Sequence, residues 1–379
     1  MTKKFNESFS VFSFFSGGGF LDLGFESEEF DVVFANEIHT PFLEAYSHSR
    51  DILGIREPKY GLSNVDITSL RGDRGLAEAV KMEENLKKVI GFIGGPPCPD
   101  FSVGGKNRGR SGENGRLSET YVDLIINGKP HFFLFENVKG LYRTKKHREF
   151  FEHLKDKLCQ FYYLSERVVN ALEYGVPQDR ERIILVGFRR DCFEETKFGW
   201  GERLYPDRSG FQYDWPDVTP FYPRKLVPRP DHLPLGLTVQ YWFDRNDVKN
   251  HPNSKHHFKP RAGLPRFKTI CEGDDKKKSY KRLHRWRYSP TAAYGNNEVH
   301  LHPYKARRLS AAEALAIQSL PKEYEFPADM GLSNMFKCIG NGVPYLAAKG
   351  LAASIKLHII ENYQTNLQQF NEFSTSSAA

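Results

Sequence analysis

Residues 89–93, Val-Ile-Gly-Phe-Ile, form an apolar run that stops at Gly94-Gly95-Pro96-Pro97-Cys98-Pro99. A run this short, closed by glycines and prolines, has the character of a buried strand feeding a stiff loop. Comparable runs at 11–15, 30–35, 131–135 and 183–188 also end in a turn or a polar tip. Together with the helical spacing after the first of them, they predict an α/β chain built on an open sheet. In such sheets ligands meet the carboxyl ends of the strands. A cysteine at that edge is either a structural thiol in a Pro-rich turn or a nucleophile beside a ligand, and Cys98 alone does not decide between them.

Its neighbours along the chain add chemistry. Ser16-Gly17-Gly18-Gly19 turns sharply after the first run, and Phe20 opens a helix-like segment. Glycines there let a backbone approach a ligand closely, although a tight turn without a ligand has the same composition. The second run ends at Asn36-Glu37-Ile38, about twenty residues after the glycines, where an acidic tip can hold a ribose diol. A third tip, again acidic, follows at Asp66-Ile67-Thr68. Three successive tips of this kind predict a nucleoside cofactor.

Beyond Cys98, residues 102–115 are glycine-rich and basic, with Lys106, Arg108 and Arg110. That composition suits a loop closing over a polyanion, and equally a disordered insertion. The run at 131–135 delivers Glu136-Asn137-Val138. A carboxylate placed straight after so apolar a stretch is poorly hydrated, which favours its protonated, hydrogen-bond-donating form. In Gln178-Asp179-Arg180-Glu181-Arg182 the alternate residues Gln178, Arg180 and Arg182 would share one face of an extended strand. Convergent guanidinium groups can hold a phosphate, a thiolate or a carboxylate, unless Asp179 and Glu181 simply pair with them.

The chain changes texture from about residue 191. Prolines and aromatics crowd the stretch to 303 without strand–helix alternation, which predicts a second, irregular domain. Residues 251–310 hold 15 Lys+Arg against 4 Asp+Glu, within a chain whose net charge is only +7. A basic segment on a mildly acidic body fits a polyanion-binding surface. Residues 281–288 interleave Arg285 and Arg287 with Trp286 and Tyr288, as nucleic-acid binders do. Regular structure should return at Ser310, where Glu313 completes a capping box, and again after Gly340-Asn341-Gly342-Val343-Pro344. The tail beyond about Phe373 is rich in Ser and Ala. Five cysteines at 98, 159, 192, 271 and 338 form no CxxC pair, so neither a metal site nor a disulfide framework is expected. No signal-peptide profile and no bilayer-length apolar run is present, which points to a reducing cytoplasm.

Taken in order, FSGGG, ANE, DIT, GGPPCPDFS, ENV, QDRER, a basic variable stretch, RRLSAAEALAIQSLP and GNGVP resemble the ordered blocks of the DNA (cytosine-5) methyltransferases, over about residues 11–360. The resemblance implies a Rossmann-like, S-adenosylmethionine-dependent methyltransferase sheet formed by residues 1–190 plus 331–379. A smaller target-recognition domain would occupy 191–330. It makes Cys98 the nucleophile that adds to C6 of cytosine, Glu136 the group meeting N3 and the exocyclic amine, and Arg182 their support, with Arg180 beside them. S-adenosyl-L-methionine would be held by Phe15, Ser16, Gly17, Gly19, Glu37, Ile38, Asp66, Ile67, Pro97, Leu117, Asn341 and Val343. DNA would be met by Gln178, Lys106, Arg108, Arg285, Arg287 and Thr291.

Two positions depart from the family pattern: Phe20 and Pro99 stand where a glycine and a glutamine are usual. Phe20 would narrow the cofactor turn, and Pro99 removes a donor beside the nucleophile. The resemblance further implies double-stranded DNA as partner, a monomer, no metal, and a prokaryotic restriction-modification setting with a cognate endonuclease encoded alongside. Two other readings remain. One is a tRNA cytosine-5 methyltransferase, which would carry a different tripeptide after the cysteine and a shorter variable stretch. The other is a catalytically inactive DNA-binding member, which would have lost Cys98, Glu136 or Arg182.

Overall fold

Alternating side chains of the apolar runs face two opposite cores, and that alternation builds the sheet. The computed structural model describes residues 7–97, 113–201, 203–223, 227–260, 262–276, 279–292, 294 and 299–364. The first half of the chain lays down β1 (Phe9–Phe14), α1 (Phe20–Glu26), β2 (Phe30–Asn36), α2 (Thr40–Leu53), β3 (Leu62–Ser63), α3 (Arg74–Asn85), β4 (Val89–Gly94), α4 (Glu113–Gly128), β5 (Phe132–Val138), α5 (Lys145–Leu158) and β6 (Tyr162–Asn170). It continues with β7 (Gln178–Asp179), β8 (Glu181–Arg189), α6 (Val239–Arg245), α7 (Leu264–Phe267), β9 (Ser289–Pro290), α8 (Ala311–Ile317), α9 (Leu332–Asn341) and α10 (Tyr345–Asn362).

The strands order as β3-β2-β1-β4-β5-β8-β6. The first five are parallel neighbours, while β8 runs antiparallel to both β5 and β6. Val11, Val32, Val89 and Leu134 join one core with α1 and α10, whereas Phe12, Val33, Ile90 and Phe133 join the other with α3, α4 and α5. Sheet growth reverses between β1 and β4, and a crevice opens at the carboxyl ends of such a pair. The glycine turn after β1 and the Gly94–Pro97 stretch after β4 both lie there. The expected strand ending at Phe135 runs on to Val138, because β8 continues the ladder and sets Glu136 opposite Ile184 and Val138 opposite Arg182.

The second unit has few regular elements, as its texture predicts. Its apolar residues merge with the sheet domain, since Phe20, Leu23, Phe42 and Ala45 of α1 and α2 share a cluster with Trp242, Phe243, Leu283, Tyr294 and the apolar residues of α8. Ser310 and Glu313 form the expected capping box on α8. Arg282, fully buried, is enclosed by the main-chain carbonyls of Phe267, Ile270, His302 and Lys305, with Phe221 under its guanidinium plane. No helix of the described residues is long and apolar enough to cross a membrane.

One buried charge cluster ties β1, α1 and α2 together. Asp22 accepts from Ser13 Oγ (2.7 Å) and Tyr46 Oη (3.0 Å), and Arg50 meets Glu26 at 3.0 Å while lying 3.5 Å from the centre of the Tyr46 ring. A single cation thus serves two carboxylates. Burial, reinforced by the charge of Asp22, pushes Glu26 up to about 7 from an ordinary 4.5 in spite of Arg50. The unfolded chain releases this proton near 4.5 and the folded chain holds it to about 7, so stability is retained at low pH and lost as pH rises through that window. The loss amounts to up to about 3 kcal/mol. Glu26→Gln should flatten this slope, which urea midpoints collected from pH 5 to pH 8 would reveal. Parallel curves for variant and wild type would contradict it.

Candidate active site at the carboxyl edge of the sheet

The cofactor side is built on the tips of β1 and β2. Phe15, Gly17 and Gly19 all take positive φ (55°, 57° and 77°), so the chain doubles back as it leaves β1. A Cβ on Gly17 would meet nothing within 4 Å among the described residues, whereas one on Gly19 would collide with the Arg50 guanidinium and the Tyr46 ring. The turn is therefore packed underneath and open above. Glu37 accepts the N–H of Gly17 at 3.0 Å and that of His39 at 2.8 Å, and its burial raises its carboxyl above the ordinary range against the pull of those two donors. The N–H of Ser16 is taken by the carbonyl of Asn36 (3.1 Å), which fixes the turn to β2.

Around this turn stand the other expected cofactor residues. Ile38 is 59% exposed, an unusual position for a large apolar side chain. Asp66 accepts the N–H and the hydroxyl of Thr68, both at 2.7 Å, and those bonds hold its carboxyl below the ordinary range. Ile67 is buried, Leu117 of α4 is half-buried, Pro97 and Asn341 are exposed, and Val343 is buried in the core with α1 and α10. Phe15 lies edge-on to Tyr121 of α4 with ring centres 6.1 Å apart. An open glycine turn, a carboxylate at a strand tip and an exposed apolar side chain beside it are the groups a nucleoside requires, and they fit S-adenosylmethionine. The expectation that Phe20 narrows the turn is corrected. Its ring is buried in the cluster shared with the second unit, edge-on to Tyr324 at 5.1 Å.

The catalytic side is built on β5, β8 and the loop after β4. Arg182 Nε lies 2.8 Å from Glu136 Oε1, and both side chains are mostly buried. A Cβ on Gly95 would fall 2.7 Å from Glu136 Oε2, so only glycine lets the loop pass so near the carboxylate. Asn137 Nδ2 donates to the carbonyl of Pro96 (3.4 Å). Glu136 and Asn137 therefore both touch the stretch that leads into Cys98. Cys98 itself lies outside the described residues, as do Pro99, Lys106 and Arg108.

Arg180 is buried, donates from Nη2 to the carbonyl of Gly340 (2.9 Å), and has no hydrogen-bond acceptor for Nε or Nη1 among the described residues. Burial, with Arg182 nearby, pulls its pKa well below the usual arginine range. The carboxylates of the intervening acids are taken up by other residues. Glu181 is held by Lys139 (2.8 Å) and Arg208 (2.9 Å), and Asp179 takes the amide of Asn170 (2.7 Å).

Several residues expected to meet DNA are used within the fold instead. Gln178 is fully buried with both ends of its amide bonded, to Gln318 and to Ala292. Arg285 is buried against Glu272, which it meets through Nε and Nη2 at 2.8 Å each, and its guanidinium faces Tyr304. Arg287 pairs with Asp275 at 2.6 Å, and Thr291 donates its hydroxyl to the carbonyl of Asp179 at 2.6 Å. Alternation along a strand identified a common face, but not that α8 and the second unit would cover it. Arg50 and Gln318 went unrecognised as site supports. Gln318 follows the otherwise apolar, buried α8, and that mismatch was the available signal, whereas Arg50 stands among polar residues of α2 and carried none.

A family model for C-5 cytosine-specific DNA methylase matches residues 9–357. The Type II methyltransferase M.NmeDI of Neisseria meningitidis serogroup C is 59% identical over 360 residues, which cover 93% of this chain and 85% of that protein. M.MthTI of Methanothermobacter thermautotrophicus is 29% identical over 369 residues, covering 91% of this chain and 96% of the other. Among solved structures, one described as a DNA modification methyltransferase encoded within a prophage (E. coli) aligns with a TM-score of 0.65 at 21% identity, covering 93% and 99% of the two chains. The Dnmt2 methyltransferase of S. pombe aligns at 0.56 and 14% identity, covering 93% and 98%. At these identities the structural likeness establishes the fold, a Rossmann-like methyltransferase sheet, whereas the family model spans nearly the whole chain. The chain belongs to the C-5 cytosine-specific DNA methylases.

Proposed function

We propose that this protein transfers a methyl group from S-adenosyl-L-methionine to C5 of a cytosine flipped out of a short, specific site in double-stranded DNA, through a bond between Cys98 and C6. The observation that carries the reading is the meeting of the Glu136–Arg182 pair with the Gly95-Pro96 backbone just before Cys98. C5 of cytosine is a weak nucleophile. A thiolate added at C6 makes C5 enamine-like and splits one hard step into two easier ones. A guanidinium beside a thiol favours the thiolate, and Arg182 is the group on hand for that. Addition drives negative charge toward N3, where Glu136 delivers a proton. Once C5 has taken the methyl, its proton passes to solvent, N3 returns its proton to Glu136 and Cys98 leaves as a thiolate, which restores the aromatic ring. Bound S-adenosylmethionine supplies the electrophilic methyl, carried on a sulfonium.

Glu37 and Asp66 offer acceptors for the nucleoside, and Ile38 offers an apolar face. Arg180, with two buried donors lacking acceptors among the described residues, is suited to a phosphate oxygen or to the Cys98 loop. The target carbon is shielded in a stacked duplex, and extruding the base costs roughly a few kcal/mol. Lys106 and Arg108, in the segment after Cys98, are our candidates for closing behind it. We assign the second unit, residues 191–330, to reading the site. By likeness to the Type II methyltransferases, we place the activity in a restriction-modification setting, with a separate endonuclease and this chain acting as a monomer in the cytoplasm.

Bisulfite sequencing of DNA from cells expressing the protein should show one short motif with a protected cytosine. Unmodified DNA in cells holding folded protein would refute the assignment. Cys98→Ala should abolish that protection while leaving S-adenosylhomocysteine binding intact, and wild-type protein should form a covalent adduct on duplexes carrying 5-fluorocytosine in the motif. Retained turnover in Cys98→Ala would rule out the covalent route. Glu136→Gln should lower kcat by about 10²–10³ with little change in KM for DNA, the loss typical of one donor aimed at developing charge.

A further inference from the structure

Two glutamines lie fully buried at the seam between the sheet and the second unit. Gln178 of β7 accepts the Ala292 N–H at Oε1 (3.0 Å) and donates from Nε2 to Oε1 of Gln318 (3.2 Å). Gln318, the residue after α8, donates from Nε2 to the carbonyl of Ile339, and its own carbonyl takes the N–H of Tyr345 at 3.0 Å. The direction of this chain is fixed by its two main-chain ends. Ala292 can only donate and Ile339 can only accept, so each amide has one orientation that satisfies both neighbours. Apolar packing would tolerate a slide along the seam, but a fully satisfied run of amides does not.

Both ends of the run lead to the reaction site. Two and four residues beyond Gln178 stand Arg180 and Arg182. Two and four residues beyond Ile339 stand Asn341 and Val343, on the cofactor side. Arg180 closes the circuit by donating to the carbonyl of Gly340 at 2.9 Å. On the other flank, β7 pairs in register with β9 of the second unit, Gln178 opposite Ser289. We infer that Gln178 and Gln318 are positioning residues for methyl transfer, a two-amide clamp that holds the arginine strand and the 339–343 turn in one register. This inference rests on the methyltransferase reading above.

The clamp makes a crossed expectation that ordinary structural support does not. Gln178→Met, changed on the arginine side, should weaken S-adenosylhomocysteine binding about tenfold by calorimetry. Gln318→Met should slow covalent trapping on 5-fluorocytosine duplex about tenfold. Ile355→Val, a core change on α10 away from the seam, controls for lost stability and should leave both measurements as in wild type. If Gln318→Met does not fold, Gln318→Glu, which keeps Oε1 and loses the donor toward Ile339, replaces it in the same assay. Wild-type binding in Gln178→Met, wild-type trapping in the Gln318 variant, or equal losses in Ile355→Val would each overturn the clamp. A wild-type chain that binds S-adenosylhomocysteine but traps no adduct would instead overturn the methyl-transfer reading, and the clamp with it.

Discussion

The antiparallel pairing of β5 with β8 places the two charged groups on which the active site depends. Val138 faces Arg182 and Glu136 faces Ile184, which makes Glu136 and Arg182 diagonal neighbours on one face. A diagonal neighbour is within reach of a long side chain, and here the reach closes to 2.8 Å. A slip of one residue would send Arg182 to the opposite face and leave a mostly buried carboxylate alone. The register is secured by apolar burial, since Phe132, Phe133, Phe135 and Phe188 all lie inside the cores. The proposed catalytic pair therefore depends on a tightly packed part of the sheet.

The cofactor turn depends on a different kind of support. Arg50 sits directly below Gly19, held against the Tyr46 ring and shared by two acids. Burying such a group is expensive unless it is paired, and here it lies beneath a backbone that places Phe15, Gly17 and Gly19 at positive φ within one short turn. Among the described residues nothing crowds the turn at Gly17, while below Gly19 lies a filled, charged floor.

Much of this was legible in the sequence, and for identifiable reasons. Apolar runs and glycine tips are local signals, so the strand ends, the turn after β1 and the capping box of α8 could be read one segment at a time. The extension of β5 to Val138 could not, because it is decided by a partner strand more than forty residues further on. Gln178 illustrates the same limit: its alternation with Arg180 and Arg182 is visible, but its burial depends on Ala292 and Gln318, more than a hundred residues away. The interleaved cations and aromatics of residues 281–288 were misleading for a related reason. In the fold the aromatic faces and acids of neighbouring segments take up the guanidinium groups internally, as Tyr304 and Glu272 do for Arg285.

The enclosure of Arg282 by main-chain carbonyls has a consequence for how the protein meets a polyanion. With Arg285, Arg287 and Arg307 also tied to acids inside the second unit, much of the arginine charge in the basic segment stabilises its irregular backbone. Those groups are not available to displace condensed counterions from a nucleic acid. The slope of log affinity against log salt counts only phosphates neutralised at the surface. Exposed side chains such as Lys259, Arg266, Lys268 and Lys276 are placed to contribute to it, and a slope shallower than the composition of the segment suggests is the expectation.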